Sequence, residues 1–215
     1  DPSPATAYGV IRAMQACLKE TYGSPDLQGR TIAVQGIGSV GEHAVTQLIE
    51  AGAIVTIADI EREKAERIAA QYNVRLAHPS EIHSLPVDIY CPCALGAVLN
   101  DQTLPELRCK IVCGSANNQL AEDCHGDMLE QRGILYAPDY IVNAGGAIFG
   151  IDSLNPGGFN RQRAIDSVSR IYEAVEKVLT LAKEQKVPTY RAADLLAEQR
   201  IAMARQVKGL RVKGD

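Results

Sequence analysis

The 215 residues carry 22 Lys and Arg against 26 Asp and Glu, a formal net charge of −4 that supplies no electrostatic footprint for nucleic acid. Hydrophobic residues make up 46% and charged ones 22%, the composition of an ordinary globular protein, and no apolar run reaches the ~20 residues that a membrane span needs. The chain starts at Asp1 and lacks a secretory signal's charged and apolar regions, so it is expected to be cytoplasmic and processed or cut from something longer.

Along the chain the hydrophobic period switches repeatedly between helical and strand-like. In DPSPATAYGVIRAMQACLKETYG, Ser3 is the expected N-cap with Pro4 at the first helical position; Val10, Met14, Cys17 and Leu18 share a face, and Gly23 stops the helix. Thr31 to Val34 reads as a buried strand, and SVGEHAVTQLIEAG after it as a helix ending at Gly52. Ile54 to Ala58 reads as a second strand, followed by a charged amphipathic helix, EREKAERIAAQYN. Short apolar runs at Val87–Tyr90, Lys110–Cys113 and Ile134–Tyr136 predict three further strands, with the helical stretch QLAEDCHGDMLEQRG between the last two. From Arg161, RQRAIDSVSRIYEAVEKVLTLAKEQ reads as one long helix with Ile165, Val168, Ile171, Val175, Val178 and Leu179 on its stripe. RAADLLAEQRIAMARQV closes the chain as another helix, and the basic RQVKGLRVKGD reads as a solvated tail. This alternation predicts an α/β fold, a parallel sheet with helices on both faces plus long C-terminal helices.

Cys91 and Cys93 form a C-x-C, and Cys17, Cys109, Cys113 and Cys124 are scattered. Four-ligand zinc spacing is absent, so the cysteines read as small core hydrophobes in a reducing compartment and no metal is expected.

Gly36, Gly38 and Gly41 make a G-x-G-x-x-G directly after the first strand and at the start of a helix. The first glycine allows the tight turn, the second lets backbone approach a pyrophosphate, and the third lets helix and strand pack closely. The helix N-terminus adds free N–H groups and a positive dipole end. Asp59 ends the second strand at the spacing of a carboxylate that accepts from adenosine ribose hydroxyls and repels a 2′-phosphate. These features predict a Rossmann-type doubly wound sheet expected to bind NAD in preference to NADP, with Arg62 close enough in sequence to blur that preference. Three further loops are rich in small and amide residues: CPCALG, CGSANNQL with Ser115, Asn117 and Asn118, and APDYIVNAGGAIFG with Asn143 before two glycines. Asn143 there either faces a ligand or caps the next helix.

Taken in order, DPSPATAYGV, VQGIGSVG, CPCALGAVLN, GSANNQL and YAPDYIVNAGG resemble the cofactor domain of the glutamate/leucine/phenylalanine/valine dehydrogenase family, nearest its leucine and aromatic-amino-acid members. The resemblance spans essentially the whole chain. It implies reversible oxidative deamination of an L-amino acid to a 2-oxo acid and ammonia, with hydride passing from Cα to the nicotinamide, in a homo-oligomer. It implies that Thr6 contacts the nicotinamide carboxamide and that Gly36, Ile37, Gly38, Ser39, Val40 and Gly41 form the phosphate loop. Asp59 and Ile60 then flank the ribose, Ala94 and Leu95 reach the nicotinamide side, and Ser115, Ala116, Asn117 and Asn143 line the cofactor, Asn117 also touching substrate. Where leucine dehydrogenases carry V-I-N-V after the two glycines, this chain has AIFG, which puts Ala147 and Gly150 at pocket-wall positions and implies a wider pocket, unless Phe149 refills it.

On this reading residues 1–190 are the NAD-binding domain, led by a helix over residues 1–23, and residues 191–215 are a C-terminal helix and tail. The family's acid/base lysine and aspartate belong to an N-terminal substrate domain that the sequence does not include, so the chain alone is expected to bind NAD without catalysis. Leu195, Leu196 and Ile201 would then pack on a second copy or lie on a mobile helix. Two alternatives stand beside this: a non-catalytic nucleotide-binding regulatory module, and a small oxidoreductase using His125 or Asp139, although a lone His125 reads better as a helix-surface residue.

Overall fold

In a computed structural model, which describes the backbone of residues 1–211 and the side chains of residues 1–204, the chain folds as nine helices and six strands among the described residues. They run α1 (Ser3–Tyr22), β1 (Thr31–Gln35), α2 (Ser39–Glu50), β2 (Ile54–Ala58), α3 (Arg62–Tyr72), β3 (Arg75–Leu76), β4 (Ile89–Pro92) and β5 (Ile111–Val112). Then come α4 (Asp123–Gln131), β6 (Leu135–Tyr136), α5 (Asp139–Val142), α6 (Gly145–Ile151), α7 (Arg161–Ser169), α8 (Ile171–Gln185) and α9 (Thr189–Arg211). All strands are parallel, in the order β3-β2-β1-β4-β5-β6. This is the doubly wound arrangement, in which the direction of winding reverses between β1 and β4.

The strands form because their side chains are buried on both faces. Ile32, Val34, Ile57, Ile89, Cys91 and Ile111 join one core cluster with α1, α2 and α8. The alternate residues Ala33, Ala58, Tyr90 and Val112 join a second cluster on the opposite face. That period of two is the pleat of a strand covered on each side. Helix α1 is buried on more than the one predicted stripe, because it packs against α2, α6 and α8 together.

Several expectations are corrected. Helix α1 starts at Ser3 with Pro2 as its N-cap, and the Asp1 carboxylate accepts from the Ser3 N–H at 2.9 Å. The expected single helix from Arg161 is two, α7 and α8, meeting at Arg170. Ser167 and Ser169 donate their hydroxyls back to the carbonyls of Arg163 and Asp166, a competition with the helical ladder that bends helices. Strand β3 was not expected, since its two residues are exposed and carry no apolar run. Helix α4 starts only at Asp123, leaving Gln119 in a loop. Helix α9 begins two residues early, where the Thr189 hydroxyl donates to the Tyr136 carbonyl at 2.6 Å. Leu196 has a partner after all, packing with Val178, Ala182, Ala192 and Ala193, while Leu195 and Ile201 are exposed. Of the proposed tail, residues 205–211 continue α9 as backbone and residues 212–215 lie outside the described residues.

The N-terminal edge of the sheet is pinned by Asp88. Its carboxylate accepts from the Thr31 N–H at 2.8 Å, from the Thr31 hydroxyl at 3.0 Å and from the Tyr22 hydroxyl at 2.7 Å, with Arg30 at 3.7 Å. Partial burial works against the carboxylate, but these hydrogen bonds and the Arg30 charge outweigh it and hold Asp88 below the usual carboxylate range. Tyr22 is pushed up to about 12, first by burial and then by its bond to Asp88. The lowered Asp88 value gives stability that is present above ~pH 4 and lost as pH falls through the folded value; the raised Tyr22 value gives stability that is lost as pH rises from ~10 towards 12. Urea midpoints measured across pH should therefore fall at both ends, with Asp88→Asn flattening the acid limb and Tyr22→Phe the alkaline limb.

Candidate functional site

The sequence-predicted residues gather at the C-terminal ends of β1, β2, β4 and β5, around the crevice where the winding reverses. Gly36 turns the chain out of β1 with φ +90° and donates its N–H to the Ala58 carbonyl at 2.7 Å. A Cβ on Gly36 would lie 2.6 Å from the Ala94 Cβ, so the loop after β4 rests directly on this turn. A Cβ on Gly41 would run into the Gly36 carbonyl oxygen, which is why the first turn of α2 needs a glycine there. Gly38 is different: it is exposed, caps α2, and a Cβ on it would meet nothing within 4 Å. Two glycines thus serve protein packing, and the third faces open space at a helix N-terminus.

Asp59 sits beside this turn. Its Oδ2 accepts from the Ile37 N–H at 2.7 Å and its Oδ1 from the Glu61 N–H at 2.9 Å. Ile37 is buried, Val40 half-buried, and Ile60 stands 86% exposed. Ser39 donates to the Ser3 hydroxyl at 2.8 Å, which ties α2 to the first turn of α1. One turn on, Thr6 donates to the Pro2 carbonyl at 3.1 Å, and its Oγ1 would lie 2.5 Å from a Cβ on Gly146, so α1 and α6 meet at that glycine.

On the far side, Asn143 donates its amide to the Asn117 carbonyl oxygen at 2.6 Å. Asn143 does not cap α6, whose N-cap is Ala144; it ends α5. The Ala116 N–H bonds the Pro92 carbonyl at 2.9 Å and the Ala97 N–H bonds the Asn118 carbonyl at 2.7 Å, joining the loops after β4 and β5. Ser115 approaches Cys93, whose thiol lies 3.5 Å from that of Cys91. The Cys91 bond, together with the Ser115 hydroxyl and amide and against the effect of burial, brings the Cys93 thiol down to about 7. The same bond, with burial, pushes Cys91 up. Ala94 and Leu95 are exposed at the mouth. Ala147 and Gly150 are also exposed, on the α6 face that follows Asn143, while Phe149 turns away to stack edge-on against Phe159 at 5.0 Å.

Gln119 carried no signal as an isolated polar residue in NNQL, yet it organises one wall. It is fully buried; its Nε2 donates to the carbonyls of Gly114 at 2.8 Å and Ala116 at 2.9 Å, and its N–H donates to Asp139 Oδ2 at 2.7 Å. Asp139 is thereby committed to structure. So is His125, which is buried, contrary to a surface position: its Nδ1 accepts from the Glu122 N–H at 2.9 Å in a capping box of α4, and Nε2 faces Asp101 at 3.2 Å. Of the cysteines, Cys124 is exposed and Cys93 half-buried, so the core reading holds for the other four. Among the described residues no group of three or more His, Cys, Asp or Glu side chains is arranged to hold a metal ion, and no helix is long and apolar enough to cross a membrane.

Strand order, glycine turn and switch-point crevice define a Rossmann-type α/β protein. A family model for glutamate/leucine/phenylalanine/valine dehydrogenases matches residues 2–63 and 56–209. Leucine dehydrogenase of Geobacillus stearothermophilus is 46% identical over 208 residues, covering 97% of this chain and 56% of that enzyme. Phenylalanine dehydrogenase of Thermoactinomyces intermedius is 42% identical over 203 residues, covering 94% of this chain and 55% of that enzyme. The crystal structure of L-tryptophan dehydrogenase from Nostoc punctiforme superposes with a TM-score of 0.91 at 39% identity, over 96% of this chain and 62% of that one. The chain belongs to the glutamate/leucine/phenylalanine/valine dehydrogenase family, and it spans a little over half the length of the relatives it matches.

Replacing Gln119 by Leu leaves two buried carbonyls without donors, at ~1–3 kcal/mol each. The Gln119→Leu variant should lose about 2–4 kcal/mol in urea unfolding. Backbone amides of Ser115–Asn118 should exchange faster with solvent deuterium, while those of β1 and β2 stay unchanged.

Proposed function

We propose that this chain is the NAD-binding part of an L-amino-acid dehydrogenase, which deaminates its substrate oxidatively to a 2-oxo acid and ammonia. The observation that carries the reading is the cradle at β1–α2: Gly36 and Gly41 packed so tightly that no side chain fits, Gly38 open at the helix N-terminus, and Asp59 beside them. That cradle suits a pyrophosphate, bound by backbone N–H groups and the positive end of the α2 dipole. Each Asp59 oxygen uses one acceptor site on a backbone amide and keeps another for a ribose hydroxyl, and its charge disfavours a 2′-phosphate.

Bound there, NAD would accept the hydride from the substrate Cα. The chain's own residues bind and orient. Thr6, with its hydroxyl proton committed to Pro2, keeps oxygen lone pairs for a carboxamide. Asn117, its carbonyl held by Asn143, turns its amide N–H groups to a substrate carboxylate. The bare α6 face at Ala147 and Gly150, with Phe149 stacked elsewhere, fits a branched or bulkier aromatic side chain. Exposed Ile151, Leu154 and Phe159 support assembly into a homo-oligomer.

Calorimetric titration of the chain should show NAD binding at least about tenfold tighter than NADP, and Asp59→Asn, which keeps the acceptor for Ile37 but drops the charge, should narrow that gap about tenfold. Equal affinity for the two dinucleotides would count against the role of Asp59; no binding of either would sink the reading. Turnover is a separate expectation. With Asp139 and His125 committed to structure, the chain on its own should reduce no NAD with L-leucine or L-phenylalanine. Steady production of NADH in that assay would mean the proton-transfer group lies within these 215 residues.

A further inference from the structure

We propose that Cys91 and Cys93 are a thiol–disulfide couple that a hydroperoxide oxidises, and that closing the disulfide weakens dinucleotide binding at the adjoining glycine turn. The first half does not depend on dinucleotide binding; the second rests on the NAD reading above.

Residues two apart on an extended strand point to one face, and here they bring the two Sγ atoms to 3.5 Å. The pair is unequal. Cys91 lies inside the β4 ladder and is fully buried, whereas Cys93 follows the strand end and is half-buried. Cys93 is therefore the residue of the pair nearer the surface, the one a small oxidant reaches first, and Cys91 the one behind it. The bonds that Cys93 receives from Cys91 and Ser115 favour its thiolate near neutral pH, the reactive form, while Cys91 stays protonated as the donor. The remaining cysteines lack this combination. Cys17 and Cys113 neighbour one another but are sealed in the core, and burial holds Cys109 up at about 11. Cys124 is exposed but pushed up, by desolvation and then by the Glu122 carboxylate.

The chemistry balances in two steps. The Cys93 thiolate attacks a peroxide oxygen; an S–O bond forms, the O–O bond breaks, and with one proton the leaving oxygen departs as water or alcohol. Sulfur is oxidised by two electrons to the sulfenic acid and the peroxide is reduced. The Cys91 sulfur, losing its proton, then attacks Cys93 Sγ; the S–S bond forms and the S–O bond breaks, and hydroxide takes the proton to leave as water.

Closure has to move the backbone. The sulfurs must approach by about 1.5 Å to reach the ~2.0 Å of a disulfide, and Cα atoms two apart on a strand sit ~6.6 Å apart, at the long end of what a disulfide spans. Cys91 is held within the sheet, so the displacement falls on Cys93 and Ala94. Cys93 is bonded through its N–H to the Gln35 carbonyl at 2.7 Å, and Ala94 packs on Gly36 with no room to spare. The shift is thus delivered to the turn that shapes the cradle.

The test treats the reduced chain with hydrogen peroxide, alkylates the remaining thiols and maps the peptides by mass. The expected result is a linked Cys91–Cys93 peptide, lighter by two hydrogens, formed before Cys124 is oxidised. In Cys91→Ala, Cys93 should instead be trapped by dimedone as the sulfenic acid and pass on to the sulfinic acid. Oxidation of wild-type Cys93 to the sulfinic acid without a linked peptide, or prior oxidation of Cys124, overturns the couple. Calorimetry on the same samples should show NAD affinity falling at least about tenfold on oxidation and returning with dithiothreitol. Unchanged affinity in the linked protein overturns the coupling to the cradle. Failure of the reduced chain to bind NAD removes the functional reading instead, and leaves the mass map to judge the couple.

Discussion

The arrangement of this molecule depends on one close approach, where the chain leaving β1 touches the chain leaving β4. Gly36 adopts a positive φ and leaves no space for a side chain, and Ala94 fills the place that a Cβ would take. Because the winding of the sheet reverses between these two strands, their following segments diverge and a crevice opens above the contact. A larger residue at position 36 would force the two loops apart and with them α2, whose first turn is itself fitted to the Gly36 carbonyl through Gly41.

Around that contact the polar groups form a nearly continuous circuit. Asp59 holds Ile37, Ser39 holds Ser3, and Asn143 holds Asn117. Each bond satisfies protein groups and ties together segments that border the crevice. Gln119 does the same from below, fully buried, bonding two carbonyls of the loop that carries Ser115 and Asn117. Such a wall is preorganised by its supporting bonds, which lowers the ordering cost of any ligand that binds it. The site is built from backbone dipoles, amides and one carboxylate, a chemistry of binding and orientation more than of proton transfer.

Much of this was legible in the sequence, for definite reasons. Ile54–Ala58 was placed to the residue, because a β-branched run between a glycine and an aspartate has one sensible period. The glycine spacing marks the turn, since Gly36 and Gly41 answer steric demands that other residues do not meet. What stayed hidden were features set by tertiary contact. The break between α7 and α8 falls at Arg170, beside two serines that bond backwards, within a stripe that is helical throughout. The roles of Gln119, Asp139 and His125 depend on which carbonyls and amides lie opposite them, and nothing local marks a polar residue as buried. The C-x-C was visible, but the partial exposure of its second cysteine comes from its position just past a strand end.

The surface beyond α6 extends the same logic. Asp152 is buried and accepts from Arg163 through both carboxylate oxygens, from the Asn160 N–H at 2.6 Å and from the Asn155 amide at 3.2 Å. The loop spanning Asn155 to Asn160, with Gly157 and Gly158 at positive φ, is thus held at both ends by one carboxylate. Yet Leu154 and Ile151 beside it are mostly exposed, and Phe159 is half so. Ordering a loop costs about 1–2 kcal/mol per residue, and apolar side chains left in water return none of it. A segment that is fixed by polar anchors while its apolar groups stay uncovered would lose little further entropy if another surface covered it. The bare face of Ala147 and Gly150 adjoins this segment along α6, so whatever covers one is placed to close over the other.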